Sequence, residues 1–273
     1  MSSEGLESGT SSRGATWLAA LTQGAQPRAG FPPSVRVVDG TLAHEPCRYV
    51  AVLPDASNPY PRARTGEVGL VEGWALAKAV HEAIASDRAT HKRTIVAVVD
   101  VSSQAYGRRE EALGIHQALA GAAGAYAQAR QAGHAVIALI VGKAMSGAFL
   151  AHGYQANRIV ALNDPGVLVH AMGKAAAARV TMRSVEDLER LAADVPPMAY
   201  DIASFATLGL LWKLLDVGDA ARPSDADVDV TRRALVAALE SIRSDATADL
   251  RSRLGGANRT ASSVVRRKLL EQW

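Results

Sequence analysis

The sequence predicts an α/β fold, and three observations carry that prediction. Near-continuous apolar runs at 48–53, 94–101 and 135–141 read as strands buried on both faces, as in a parallel sheet covered by helices. Each run leads through a turn into a stretch of helical period, giving three strand–turn–helix units between about 49 and 157. Neither G-x-G-x-x-G after the first run nor G-x-x-x-x-G-K-[ST] anywhere is present, so the dinucleotide and P-loop fingerprints are missing. Three units are also too few for an eight-stranded barrel.

The bulk composition narrows the partners. At 273 residues the chain can bury a proper core in one large domain. Thirty Lys and Arg against 27 Asp and Glu leave only +3, with the basic residues scattered, so nucleic acid is not implied. A single cysteine, Cys47, leaves no internal disulfide and no multi-cysteine zinc site. No apolar run reaches the length of a membrane span, and no basic-then-apolar signal opens the chain, so a cytoplasmic protein is expected.

In chain order, residues 1–14 are Ser/Gly-rich and read as a disordered tail ahead of one domain, 15–273, with a helical extension from about 220. Residues 16–21 suggest one helical turn, with Trp17 docking it to a partner surface. A strand at 34–38, a hairpin turn at Asp39-Gly40 and a short return ended by Pro46 come before the strand at 48–53. The loop 54–66 carries three prolines, with Arg62 and Arg64 as candidates for a phosphate or a partner's carboxylates; solvated surface arginines are the alternative. A helix follows at 67–85, with Leu70, Val71, Trp74, Ala77, Val80 and Ile84 inward and Glu72, Lys78 and Glu82 outward.

The strand at 94–101 ends at Asp100 and a polar stretch through Tyr106, where open α/β sheets place their ligands. A single helix at 108–131, rich in Gly and Ala, implies close backbone packing. After the strand at 135–141 come the turn 143–148, a helix to about 155, apolar runs at 159–162 and 167–169, and His170. Further helices are expected at 174–179, at 184–194 behind a Ser184 cap, at 201–216 as one helix or a pair, and at 231–250 and 261–272, with 220–230 as a linker.

The turn Ala144-Met145-Ser146-Gly147-Ala148 is the chemical centre of the sequence. A strand that turns into a helix there leaves backbone N–H groups unpaired at the positive end of the helix. Ser146, Gly147 and Ala148 would then present donors to a thioester or carboxyl oxygen, with Asp100, Tyr106 and His170 at neighbouring strand ends. Any βα turn in a parallel sheet has this general form, so a purely structural turn is the alternative. A nucleophilic reading makes Ser146 the attacker, His170 its base and an aspartate the orienter, on a degenerate match to G-x-S-x-G.

Ala148-Phe149-Leu150 and Leu168-Val169-His170 resemble the A-S-M-x-A-F-L-L-A turn and M-I-H-Q-P stretch of Clp-type serine peptidases. The alignment puts Met145, not Ser146, in the nucleophile's place, which speaks against a peptidase and for a shared fold. A stronger resemblance is to the carboxyltransferase subunits of acyl-CoA carboxylases, in the crotonase-like superfamily. Val99 to Gly107 is similar to their F-I-D-T-P-G-A-Y-P-G, and Gly142 to Ala151 to their G-E-G-G-S-G-G-A-L-A. Within that superfamily, 61–70, 144–153 and 195–201 resemble the γ-subunit family of biotin-independent malonate decarboxylases, over about 15–220.

The resemblance implies a crotonase-like spiral of ββα units with C-terminal helices. It implies a β subunit as partner, an acyl carrier protein whose CoA-like prosthetic group holds the malonyl thioester, and an acyl-carrier transferase subunit. No cofactor is expected on this chain itself. The β and γ subunits together would convert malonyl carrier to acetyl carrier. Ser146, Gly147, Ala148, His170 and Tyr106 become catalytic candidates, with His170 as proton donor. Asp100, Met172, Gly173, Arg62 and Arg64 become candidates for substrate binding, and no metal ligand is named. The carboxylases' later S-P-E-G is replaced by His170-Ala171-Met172-Gly173, which fits a pocket not built for biotin. A docking subunit without catalysis and a serine hydrolase of Clp-like fold are the alternatives.

Overall fold

The structure, a computed structural model, describes residues 12–89, 91–247 and 249–273. Seven strands form one sheet: β1 (Val35–Leu42), β2 (Glu45–Val52), β3 (Thr94–Val101), β4 (Val136–Met145), β5 (Arg158–Leu162), β6 (Leu168–His170) and β7 (Lys213–Leu215). Their order is β1-β2-β3-β4-β5-β7, with β6 also paired to β4. Only the β1–β2 pair is antiparallel. Helices α1 (Arg13–Thr22), α2 (Leu70–Ser86), α3 (Arg108–Ala112), α4 (Ile115–Gln131) and α5 (Ser146–Ala151) belong to the first half. Helices α6 (Lys174–Thr181), α7 (Val185–Asp194), α8 (Ile202–Ala206), α9 (Asp225–Arg243) and α10 (Thr260–Gln272) follow. The expected runs at 94–101 and 135–141 are β3 and β4, whose Ile95 to Val99 and Val136 to Val141 are fully buried.

β4 is the hinge of the architecture. Its first half pairs with β5, from Ile137↔Arg158 to Ile140↔Ala161, while its last three residues pair with β6, from Lys143↔Leu168 to Met145↔His170. One strand therefore carries His170 alongside the residue that precedes Ser146. A register shift between Val99 and Val101 leaves Asp100 facing β4, where its carboxylate accepts from Lys143 N and Gly14 N, both at 3.1 Å. A Cβ on Gly142 would stand 2.1 Å from Asp100 Oδ1, so only glycine fits there.

Several expectations are corrected. Helix α1 begins at Arg13, capped by Ser12, so residues 12–14 are ordered into it; the rest of the expected tail lies outside the described residues. Trp17 is not on a partner surface: it is fully buried and donates from Nε1 to Ala220 O at 2.8 Å. β1 runs straight through Asp39-Gly40, and the hairpin turns at Ala43-His44, both at positive φ, as the twist of a tight hairpin requires. Pro46 lies inside β2, ahead of the β2–β3 pairing that starts at Cys47, where it costs little of the ladder.

Helix α2 starts three residues late because Val68 bridges to Gln104 and Gly69 caps the helix. Glu72 is not on the polar face: it is fully buried. It accepts from Ser34 Oγ and Asn58 Nδ2 at 2.6 Å and from Gly69 N at 2.9 Å. Trp74 is half exposed and packs over Gly121 instead of entering the core. Helices α2 and α4 approach closely at Gly73, where a Cβ would lie 2.7 Å from Ala118 O. The expected 108–131 helix breaks into α3 and α4 at Gly114, which has φ +83.

The 201–216 stretch is not a helix or a pair. It holds the short α8, then Gly209 at φ +74, and its last apolar residues become edge strand β7 beside β5. Periodicity alone does not separate a short apolar strand from a helix. Helix α9 reaches back into the expected linker because Ser224 and Asp227 cap it reciprocally. No helix among the described residues is long and apolar enough to cross a membrane.

Candidate active site

Strand β4 passes directly into α5, and the residue at the junction, Ser146, has φ +56. A residue with a Cβ in the left-handed region is strained by about 1–3 kcal/mol unless its surroundings hold it. His152, just past α5, is fully buried; its Nε2 donates to Val98 O at 3.1 Å and its Nδ1 accepts from the Tyr126 hydroxyl at 3.0 Å. Both ring nitrogens are thereby committed to a neutral imidazole, and burial pushes its pKa down to about 4 from 6.5. A folded-state pKa below the unfolded value means stability is complete above pH 6.5 and is lost as pH falls toward 4. The urea midpoint is expected to drop across that window, and His152→Gln should flatten the drop; parallel profiles for the two proteins would refute the assignment.

Ser146, Gly147 and His170 line one cavity of about 320 Å³, walled by Phe149, Tyr154 and Leu210. His170 stacks on Tyr200 at 3.8 Å between ring centres. Its Nδ1 lies 2.8 Å from Met172 O and 3.1 Å from Met172 N, and burial holds its pKa below the ordinary value. No carboxylate is bonded to His170 among the described residues, and Asp100 is occupied by Gly14 and Lys143. The Ser-His-Asp arrangement therefore lacks its third member. The Gly147 amide, expected to be open, donates to Gln104 Oε1 at 2.9 Å. A Cβ on Gly147 would make only ordinary contacts, 3.4 Å from that oxygen and 3.6 Å from Leu119.

The remaining candidates divide. Ala148 is fully buried behind the cavity wall, while Met172 and Gly173 are exposed past β6, where the Met172 backbone holds His170. Tyr106 is 60% exposed and outside the cavity. Arg62 is near it, its Nε 2.7 Å from where a Gly107 Cβ would be. Arg64 is held by Asn58 O at 2.9 Å, and neither arginine reaches the cavity. Sequence reasoning missed Gln104, Tyr200 and His152 as neighbours of the site. Only Gln104 carried a signal, as a polar residue just past the carboxyl end of a buried strand. Among the described residues no group of three or more His, Cys, Asp or Glu could hold a metal.

The malonate decarboxylase gamma subunit model matches residues 63–273. The chain belongs to that family. A malonate decarboxylase gamma subunit is an enzyme subunit, and this chain carries the fold expected of one. A crystal structure of a Pseudomonas malonate decarboxylase hetero-tetramer in complex with coenzyme A contains a chain 64% identical, with a TM-score of 0.92 over 96% of this chain and 100% of that one. The Pseudomonas MdcD-MdcE hetero-dimer gives 61% and 0.89, over 96% and 99%. The malonyl-S-ACP:biotin-protein carboxyltransferase MADD of Malonomonas rubra is 31% identical over 228 residues, 82% of this chain and 75% of that protein. Transcarboxylase 12S, at 20% identity, shares the fold with a TM-score of 0.62 over 84% of this chain and 40% of its own. The crotonase-like fold implied by the sequence motifs holds.

Proposed function

We propose that this chain acts with a β subunit to decarboxylate a malonyl group held as a thioester on an acyl carrier protein, releasing CO₂ and leaving acetyl carrier. The observation that carries the reading is the convergence of the Ser146–Gly147 junction and His170 on one cavity, in a chain of this family. When the carbon–carbon bond breaks, its electron pair moves onto the thioester as an enolate, and a donor at its oxygen lowers the barrier. In this reading the thioester oxygen replaces the Gln104 amide oxygen at Gly147 N. The proton that completes the acetyl group arrives from His170.

The carrier's CoA-like prosthetic group would bring the thioester, a transferase subunit would reload malonate, and the complex would work in the cytoplasm. Replacement of S-P-E-G by His170-Ala171-Met172-Gly173 supports a site that dispenses with biotin. The exposed apolar residues of α10 and its end, Val265, Leu269, Leu270 and Trp273, support a chain that is covered in an assembly.

The test is reconstitution: γ chain alone is expected to be inactive, and γ with β to form acetyl carrier from malonyl carrier. Because burial lowers the His170 pKa, the protonated form that can donate is lost as pH rises, and a rate that depends on it falls with rising pH. His170→Gln should remove that limb. Coincident profiles for wild type and variant on both sides of neutrality would end the donor role.

A second reading is favoured by one observation: the Gly147 donor is already filled by Gln104. In it the chemistry is lodged in the β subunit, and this chain docks the carrier protein.

A further inference from the structure

We propose that the cavity at the amino ends of β3 and β4 is a binding site for a monoprotonated oxyanion, of which hydrogen phosphate is the simplest. It lies at the opposite end of β4 from Ser146, encloses about 370 Å³, and is lined by Lys92, Thr94, Arg130, His134, Ile242 and Arg243 among others. Two of its lining side chains have a buried polar atom without a partner, Arg130 Nε and His134 Nε2. Native proteins leave few such atoms unpaired, so each calls for an explanation.

The two atoms ask for different things. His134 is only 2% exposed, and its Nδ1 stands 2.9 Å from the Arg93 carbonyl, which can only accept. Nδ1 therefore carries the proton, and burial, which lowers the ring's pKa, disfavours a second proton at Nε2. Nε2 is then an acceptor in need of a donor. Arg130 spends Nη2 on Gln155 Oε1 at 3.0 Å and keeps Nε–H free, a donor in need of an acceptor. A ligand that offers an O–H to one and a charged oxygen to the other is a protonated oxyanion.

Charge points the same way. Arg253, 5% exposed and outside the cavity lining, also has Nε and Nη2 unpartnered, and burial together with the charges of Arg130 and Arg158 pushes its pKa down to about 10. The carboxylates nearby are spoken for: Glu45 pairs with Arg243, Asp245 with Arg158, and Asp249 with Arg251. A water molecule could satisfy either orphan atom but would bring no negative charge to Arg130. The exposed side chain of His91 lies on the rim and leaves a way in from solvent.

The test uses the assembled enzyme in an oxyanion-free chloride buffer, with radiolabelled phosphate in equilibrium dialysis at constant ionic strength. Wild type is expected to take up phosphate saturably, one per γ chain, and to gain a few degrees in Tm at saturation. Arg130→Gln and His134→Phe should each weaken binding by about tenfold or more. Arg36→Gln, an exposed arginine elsewhere, should leave it unchanged. If Arg130→Gln fails to assemble, Arg130→Lys carries the same test, since it keeps the charge and loses the Nε–H. No saturable uptake at concentrations on the order of 50 mM, or equal uptake by wild type and both variants, overturns the proposal.

Discussion

Gly147→Val in the assembled β–γ enzyme is expected to cut turnover of malonyl carrier by about 10²-fold, the loss that follows removal of one oxyanion donor. The backbone at Gly147 tolerates a side chain, since φ there is not positive and a bare Cβ would make only ordinary contacts. The added methyl groups of valine would instead project toward Gln104 and Leu119, into the space a substrate oxygen needs to reach the amide. Ser146→Ala should cost far less, because in this reading the hydroxyl is not a nucleophile. A nucleophilic mechanism demands the reverse ranking, with Ser146→Ala nearly inert. Thermal melts must accompany the kinetics, so that lost packing is not mistaken for lost chemistry. Equal turnover by wild type and Gly147→Val, both folded and assembled, would transfer the chemistry to the partner subunit.

Trp17→Ala is expected to be the most destabilising of the substitutions considered, at about 3–5 kcal/mol for an aromatic side chain removed from a packed core. Trp17 has no exposed surface, and its indole N–H binds the Ala220 carbonyl 203 positions away. Helix α1 touches β2, β3, β4 and α9, so this side chain joins the start of the chain to the last third of it. For a protein of this size the cost corresponds to a fall in Tm of roughly 6–20 °C. Trp17→Phe keeps an aromatic ring but loses the indole N–H and part of the volume, with an expected cost of about 1–3 kcal/mol. A melt of Trp17→Ala within a degree or two of wild type would show that α1 is a loose appendage.

The central strands were legible because burial on both faces writes an uninterrupted apolar run, as at 94–101 and 135–141. Edge elements were not: β7 has three residues, and its apolar character fits a helix as well as a strand. The hairpin misled because Asp39-Gly40 is a favoured turn pair, yet the pairing of Val35 to Leu42 with Glu45 to Val52 places the turn at Ala43-His44. Trp17 and Glu72 went wrong together for one reason. Burial of a polar or aromatic residue depends on partners distant in sequence, Ala220 for the one and Ser34 and Asn58 for the other. In the site, the junction at Ser146 and the approach of His170 were readable from the turn and the motifs. Gln104 was marked only as a polar residue past a strand end; its bond to the Gly147 amide, 43 positions away, was not readable.

The buried Glu72 has a consequence for how the 54–66 loop meets another molecule. Asn58 is tied to Glu72, Arg64 Nε to Asn58 O, and Asp55 N to Arg64 O, so the segment is stitched to α2 at its middle and closed on itself. It presents the guanidinium of Arg62 from a rigid frame. A surface of that kind loses little conformational freedom when it is covered, so association with any complementary acidic face would be expected to proceed as a rigid-body encounter, fast at low salt and slowed by added salt.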